Sequence, residues 1–277
     1  MCRDIIDNGT STEGEAVRAR WSDGTCAYTI KRFGIVNRYD LRREFPAITL
    51  RKTAIISAAD EILWIYQKKS NNIKDLNSHI WDEWADENGS IGTAYGYQIG
   101  KKYAHHKDEN GRQVYLDQMD GVLWDLKHTP YSRRIMTNMW NVDELHDMRL
   151  YPCAYSVTFN VTDEGYDKPV LNMVLNQRSQ DVLAAGNWNP AQYAVFLMMV
   201  AQCVDMIPGE LVHMIADAHI YDRHVPVIEE LITRERHPAP KVTLTSDKKD
   251  FYSFDRYDVH VEDYVTGPQV TDIPIAV

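Results

Sequence analysis

The sequence predicts an α+β fold built around a mixed sheet, as a single domain over residues 1–277. Strand-like runs of period two and helix-like runs of period three to four interleave along the chain, and one pair of strand-like runs sits close enough to form a hairpin. No Pro/Gly/Ser-rich linker and no internal repeat divides the 277 residues, and 44% hydrophobic composition is enough for one large core.

From the N-terminus, residues 3–9 read as the end of a helix closed by "NG", and 10–26 as polar and turn-rich. "TCAYTIKRFGIVNRYDL" is rich in β-branched and aromatic residues and reads as a strand. In "LRKTAIISAADEILWIYQKKS", Ile55, Ile56, Ala59, Ile62, Leu63 and Tyr66 recur at helical spacing, which predicts a long amphipathic helix. Residues 71–100 read as short helices and loops. "LDQMDGVLWDLKHTP" is a second amphipathic helix stopped by Pro130, and "SRRIMTNMWN" a strand.

The hairpin follows. In "YPCAYSVTFNV", strict alternation puts Tyr151, Cys153, Tyr155, Val157, Phe159 and Val161 on one face. "TDEGYDKP" supplies turn residues and "VLNMVLNQRS" a second strand. Folding about Gly165 sets residue 153 opposite residue 177 within two positions, beside Gln177, Arg178 and Ser179. "NPAQYAVFLMMVAQCVDMI" is a hydrophobic helix, "GELVHMIADAHIYD" a strand, "HVPVIEELITRE" a helix, and the tail short strands and loops.

Charge and cysteine usage narrow the function. A net charge of −10 disfavours non-specific nucleic-acid binding, and an anionic substrate then requires local clusters of arginine. No run is long enough for a membrane span, and the mixed-charge N-terminus is not a secretory signal, so a cytoplasmic, reducing environment is expected. The cysteines, Cys2, Cys26, Cys153 and Cys203, form no CxxC pair and fit no zinc spacing.

Cys153 has two readings. A cysteine on an alternating strand is an ordinary packing residue, whereas one beside an arginine has its thiolate favoured and becomes a nucleophile. Arg133–Arg134 and Arg178–Ser179 offer the forked and neutral donors that phosphate takes, or are ordinary solvated side chains. Asn189 can read a pyrimidine edge or cap the following helix. The spacing of His213, His219 and His224 suits no metal pattern, and His219 and His224 would face opposite ways on one strand. His219 and Tyr221 share a face and can bond a sugar hydroxyl or pack together. Glu61, within an apolar helix, suits general acid–base work if buried and a helix margin if not. Trp81 and Trp84 offer flat surfaces to an aromatic ligand or to the core.

The blocks "DEILWIYQKKSNNIKDL", "IWDEWADENGSIGTAYGYQ", "YSRRI", "MRLYPCAYSV", "NQRSQDV", "NWNPAQYAVFLMMVAQ", "PGELVHMIADAHIYDRH" and "PAPKVTL" occur in order between "DIIDNGT" and "IPIAV". Together they resemble the folate-dependent, cysteine-nucleophile thymidylate synthases, in the variety of Bacillus-type bacteria and their phages. The resemblance implies a sheet of about six strands, dimerising through its face. It implies conversion of dUMP to dTMP with 5,10-methylenetetrahydrofolate as one-carbon and hydride donor, and no metal. Cys153 resembles the nucleophile adding to C6. Arg178, Ser179 and either Arg18 or Arg20 resemble the phosphate site, completed by Arg133 and Arg134 of the partner subunit. Gln177 lies with them, Asn189 matches the uracil contact, and His219 and Tyr221 match the ribose contacts. Glu61 and Tyr95 resemble proton-handling groups. Asp181, Trp81, Trp84, Ala185 and the C-terminal flap through Val277 resemble the folate side.

Ala154 and the "AAGNWNP" loop depart from the usual pattern, and Asn187 competes with Asn189 for the base. A dUMP or dCMP hydroxymethylase of the same fold is the nearest rival, against which Asn189 and Trp81 argue. A non-catalytic nucleotide- or RNA-binding protein is a rival of another class, and would have lost the nucleophile or the arginines.

Overall fold

The structure, a computed structural model, describes residues 1–276. Its centre is a six-stranded mixed sheet in the order β1 (Thr10–Ser11), β2 (Thr29–Asp40), β8 (Ile207–Tyr221), β7 (Val170–Asp181), β6 (Ala154–Thr162) and β5 (Met136–Asn138). Only β7 and β8 run parallel; every other pair is antiparallel. Helix α5 (Trp188–Cys203) makes the crossover between them, since parallel neighbours cannot be joined by a tight turn. Two small two-stranded sheets stand apart from the main one: β3 (Tyr103–Lys107) with β4 (Gln113–Leu116), and β9 (Lys241–Leu244) with β10 (Val259–Glu262).

The other α-helices among the described residues are α1 (Cys2–Asn8), α2 (Ile55–Tyr66), α3 (Gly96–Gly100), α4 (Gln118–His128) and α6 (Val225–Leu231). Helix α2 differs from the amphipathic expectation. From Ala58 to Tyr66 every residue is buried, Asp60 and Glu61 included, because α2 is covered by α5 on one side and by later loops on others. Helix α5 is likewise buried on nearly all sides, as its unbroken apolar run requires. Phe196 of α5 packs against Tyr66, with ring centroids 4.2 Å apart, and against Phe159 and Phe251.

A second, smaller cluster lies under the other end of the sheet. It joins Ile5, Val182, Leu183, Ile215, Ile220, Ile228 and Leu231, and Val270 and Ile273 of the C-terminal tail pack on it.

The hairpin β6–β7 turns through Gly165, whose φ of +79° suits glycine. Its register is Ala154 opposite Gln177, one residue from the expected pairing. The predicted single face is broken by a bulge at Tyr155. Val157, Phe159 and Val161 enter the main core as expected, but before the bulge it is Ala154 that does so, not Cys153 or Tyr155. An extra residue in one strand shifts the alternation by one and re-aims what precedes it. The "SRRIMTNMWN" strand is also shorter than expected. Only Met136–Asn138 pair, and Arg133 and Arg134 sit exposed in the turn before it.

Candidate active site

The parallel pair gathers the candidate residues, since α5 starts where β7 ends and both strands finish at the same edge. Ser179 pairs with Asp217 and Asp181 with His219, while Lys31 and Thr29 of β2 pair with His219 and Tyr221. Between these strand ends and loop 17–19 opens a cavity of about 480 Å³, lined by Arg18, Lys31, Arg178, Ser179, Asp217, His219 and Tyr221 among others. Arg20 folds back onto the carbonyls of Val17 and Ala19, at 2.6 and 3.0 Å. Of the two arginines, it is Arg18 that lines the cavity.

Sequence reasoning missed Lys31 and Asp217, although strand parity puts both on the face of Thr29, His219 and Tyr221. Asp217 Oδ1 lies 2.8 Å from His219 Nδ1 and Oδ2 lies 3.1 Å from Lys31 Nζ. The carboxylate therefore accepts from Nδ1–H and leaves Nε2 of His219 for a ligand. Burial opposes ionisation of Asp217, but His219 and Lys31 outweigh it and hold the carboxyl below its usual range. The His219 and Tyr221 rings share a face, 5.2 Å apart.

Cys153 sits at the mouth of the hairpin, partly buried. Arg178 frames it: its backbone N–H donates to the Cys153 carbonyl at 2.9 Å, and its guanidinium to the carbonyls of Pro152 and Tyr151 at 3.0 and 2.8 Å. Nη2 of Arg178 is 3.7 Å from Sγ. The expected proximity holds, and burial works against the pull of the guanidinium. Burial pushes the Cys153 thiol up more than Arg178 draws it down, and Sγ lies 3.9 Å from the Tyr151 carbonyl oxygen.

The Tyr95 hydroxyl oxygen accepts from the Cys153 N–H at 3.2 Å. The Tyr95 backbone is held at φ +47°, a conformation that costs roughly 1–3 kcal/mol and persists only where the surroundings impose it. The next residue must be glycine, because a Cβ on Gly96 would meet Ser70 O at 2.2 Å. Burial raises the Tyr95 phenol well above its usual value.

A chain of hydrogen bonds runs through the interior from β8 to α2. His213, wholly buried, donates Nε2–H to Gln177 Oε1 at 2.7 Å; burial pushes its pKa down to about 4, so the ring is neutral. Gln177 donates to Asn189 Oδ1 at 3.2 Å, Asn189 to Gln192 Oε1 at 3.4 Å, and Gln192 to Glu61 Oε2 at 2.7 Å. Gln177 Oε1 faces the ring and selects the Nε2–H tautomer of His213, and the donors and acceptors of the next two amides are set in register with it, which orients Asn189. Asn187 is occupied elsewhere, accepting from Ile48 N and Thr53 Oγ1 and donating to Pro46 O. Neither asparagine makes a side-chain cap on α5.

Glu61 closes the chain. It is 5% exposed and accepts from Trp81 Nε1 at 2.6 Å, from Trp188 Nε1 and from Gln192. Burial outweighs these three neutral donors and raises the carboxyl. Trp188 and Gln192 were missed by sequence reasoning; Gln192 lies three residues beyond Asn189 on one helical face, which was the available signal. The Trp81 ring is buried against Trp64, Trp84 and Tyr95. Asp181 Oδ1 accepts from Leu183 N and Ala184 N, tying down the turn that carries Ala185.

Two groups of candidates are not brought in. Arg133 and Arg134 precede β5, at the sheet edge remote from β1 and β2, and Val277 lies outside the described residues. Among the described residues, no three His, Cys, Asp or Glu are grouped to hold a metal, and no helix is long and apolar enough to cross a membrane.

The family model described as thymidylate synthase matches residues 1–277. The chain belongs to the thymidylate synthase family. It is 41% identical to the thymidylate synthase of Bacillus licheniformis over 271 residues, covering 96% of this chain and 93% of that one. It is 40% identical to thymidylate synthase 1 of Bacillus subtilis strain 168, covering 98% and 94%, and 39% identical to the enzyme of Bacillus phage phi3T over the same shares. The thermostable thymidylate synthase A from Bacillus subtilis superposes with a TM-score of 0.89 at 39% identity, covering 99% of this chain and 96% of that one. The family's reaction is methyl transfer, the synthesis of dTMP from dUMP, and the hydroxymethylase reading is not favoured.

Proposed function

We propose that this site converts dUMP to dTMP with Cys153 as nucleophile, on 5,10-methylenetetrahydrofolate as co-substrate. The observation that carries the reading is the placement of Cys153 between two unlike neighbourhoods: a cationic cavity sized for a sugar phosphate, and a dry amide chain ending in a carboxyl of raised proton affinity.

Arg18, Arg178 and Ser179 take the phosphate, with Arg133 and Arg134 of a partner subunit, and Nε2 of His219 and the Tyr221 hydroxyl take the ribose. Asn189 reads uracil, whose N3–H donates and whose O4 accepts; the bonds from His213 through Gln177 hold the amide in the matching orientation. Bound dUMP displaces solvent beside Arg178, and the guanidinium favours the thiolate as Cys153 adds to C6. Addition makes C5 a carbon nucleophile. Glu61 and Tyr95, buried beside this point, hold and move the protons at O4 and C5.

The folate supplies the one-carbon unit and the hydride when bound. The residues fit it: among the described residues no protein donor reaches Oδ2 of Asp181, which leaves an acceptor for a pterin N–H, Ala185 lies in the adjoining turn, and Trp84 is half-buried against the buried Trp81. Val36 and Met214 pair across β2 and β8 and are 51% and 44% exposed on the sheet face away from the core, which supports a dimer through that face.

Incubation with dUMP and methylenetetrahydrofolate is expected to raise near-ultraviolet absorbance as dihydrofolate forms, with a product 14 mass units heavier than dUMP, that is, roughly one CH₂. No rise with active cofactor would defeat the reading, and a hydroxymethyl product would replace it with the hydroxymethylase. Mixing Cys153→Ser with Arg133→Ala subunits is expected to restore activity through one repaired site; no restoration would remove the crossed arginines.

A further inference from the structure

His224 takes no part in the chemistry above, yet it is wholly buried in the short turn 222–224 that follows β8. It lies beyond the end of the strand rather than on it, and its two ring nitrogens face two separate parts of the molecule. Nε2 is 2.8 Å from the carbonyl oxygen of Pro274 in the C-terminal tail. Nδ1 is 3.5 Å from Oδ1 of Asp181 at the end of β7, and among the described residues no protein hydrogen bond reaches it.

These contacts constrain the ring's protonation. A carbonyl oxygen only accepts, so Nε2 must carry a proton. A neutral ring would then turn the Nδ1 lone pair toward a carboxylate, two acceptors with no hydrogen between them. Protonation of Nδ1 removes the conflict and lets one imidazolium hold the tail with one nitrogen and Asp181 with the other.

The surroundings agree. The charged and titratable groups facing the ring are Asp181 from β7, Asp222 from its own turn and the Tyr221 phenol, whose ring centroid is 5.5 Å away. Trp21 lies edge-on at 5.6 Å, donates to Asp222 at 3.0 Å and carries the Arg223 guanidinium over its ring. Burial disfavours the charged ring, but Asp181, the Pro274 carbonyl and Asp222 outweigh it and raise its pKa.

We propose that His224 is a positioning residue that latches the C-terminal tail to Asp181, and that docking of the tail takes up a proton. The inference rests on the reading of Asp181 and the tail as the folate side of the site. Val270 and Ile273 supply apolar contact for the tail on the second cluster; the latch fixes where its end lies relative to the Asp181 carboxylate. Because the docked tail supplies the acceptor for Nε2–H, docking and ring protonation strengthen each other, and docking weakens as pH rises through the titration of the ring.

The test is amide hydrogen exchange of the intact protein, read by mass spectrometry over residues 270–276 and corrected for intrinsic rates, from about pH 5.5 to about pH 8.5. The wild-type tail is expected to lose several-fold protection across that range. His224→Gln keeps an N–H for Pro274 but not the charge, and is expected to show lower, pH-independent protection. Its KM for methylenetetrahydrofolate is expected to rise about tenfold while dUMP affinity stays within about twofold. Wild-type tail protection that does not change with pH overturns the latch without any variant, and so does an unchanged pH dependence in His224→Gln. If His224→Gln does not fold, His224→Asn takes its place. Exchange needs no folate, so the expected exchange in a protein without synthase activity would leave the latch standing and remove the folate reading instead.

Discussion

Glu61 and Asp217 mark the two ends of the site, and the molecule treats these carboxylates in opposite ways. Around Glu61 there are two indoles and an amide, and burial dominates; the carboxyl becomes a better proton holder. Around Asp217 there are an ammonium, an imidazole and an open cavity, and charge dominates; the carboxyl stays ionised and organises its neighbours. The wet end suits an anion that arrives already charged. The dry end suits a proton that must be taken and returned. Cys153 lies between them, pulled one way by Arg178 and the other by burial.

The largest expected effect is at that junction. Cys153→Ser is expected to lower turnover by about three orders of magnitude or more, with dUMP affinity within a few-fold, measured by steady-state rates and calorimetry. Glu61→Gln tests the dry end alone: kcat is expected to fall about 100-fold or more while the dUMP Kd stays nearly constant. A loss confined to dUMP affinity would mean that the two ends are not functionally distinct.

His213 sharpens the contrast through stability. With its pKa at about 4 in the folded protein against 6.5 as the ordinary value, the unfolded chain takes up a proton first as pH falls. Its contribution is complete above pH 6.5 and is lost as pH falls from 6.5 toward 4, up to about 3 kcal/mol by proton linkage. Chemical denaturation of wild type and His213→Gln across that window should show the slope in the first only.

The smallest effect belongs to the wet end. Arg18→Ala is expected to raise the KM for dUMP roughly tenfold with kcat little changed, and Arg20→Ala to leave both nearly unaltered. An equal response from both would show that loop 17–20 binds as a unit.

How much of this was legible follows from the kind of signal each feature leaves. The hairpin was legible because alternation and Gly165 are local, and those two features alone suffice to put Arg178 beside Cys153. The bulge at Tyr155 was not, since one added residue leaves the pattern on either side intact. Glu61 could be read as a buried acid–base group or as the polar margin of an amphipathic helix; only the packing of α5 and the later loops shows that α2 has no wet side. The pull of Arg178 on the thiol was legible as proximity, whereas the larger opposing effect of burial belongs to the assembled fold. Arg18 was distinguished from Arg20 only by the path of their loop. Asp217 and Lys31 could have been found from parity with His219, and Gln192 from its helical offset to Asn189.

The bulge also bears on which way the molecule turns the sulfur of Cys153. Regular pleating from Val157 backward would send Tyr155 and Cys153 inward and Ala154 outward, and the thiol would become one more small apolar group in the wall. With Tyr155 as the unpaired residue, Ala154 fills the wall and is 2% exposed. A bulkier side chain at position 154 would therefore press on the core while leaving the thiol's own contacts in place. Which way this sulfur faces depends on a count of backbone residues as much as on its neighbours.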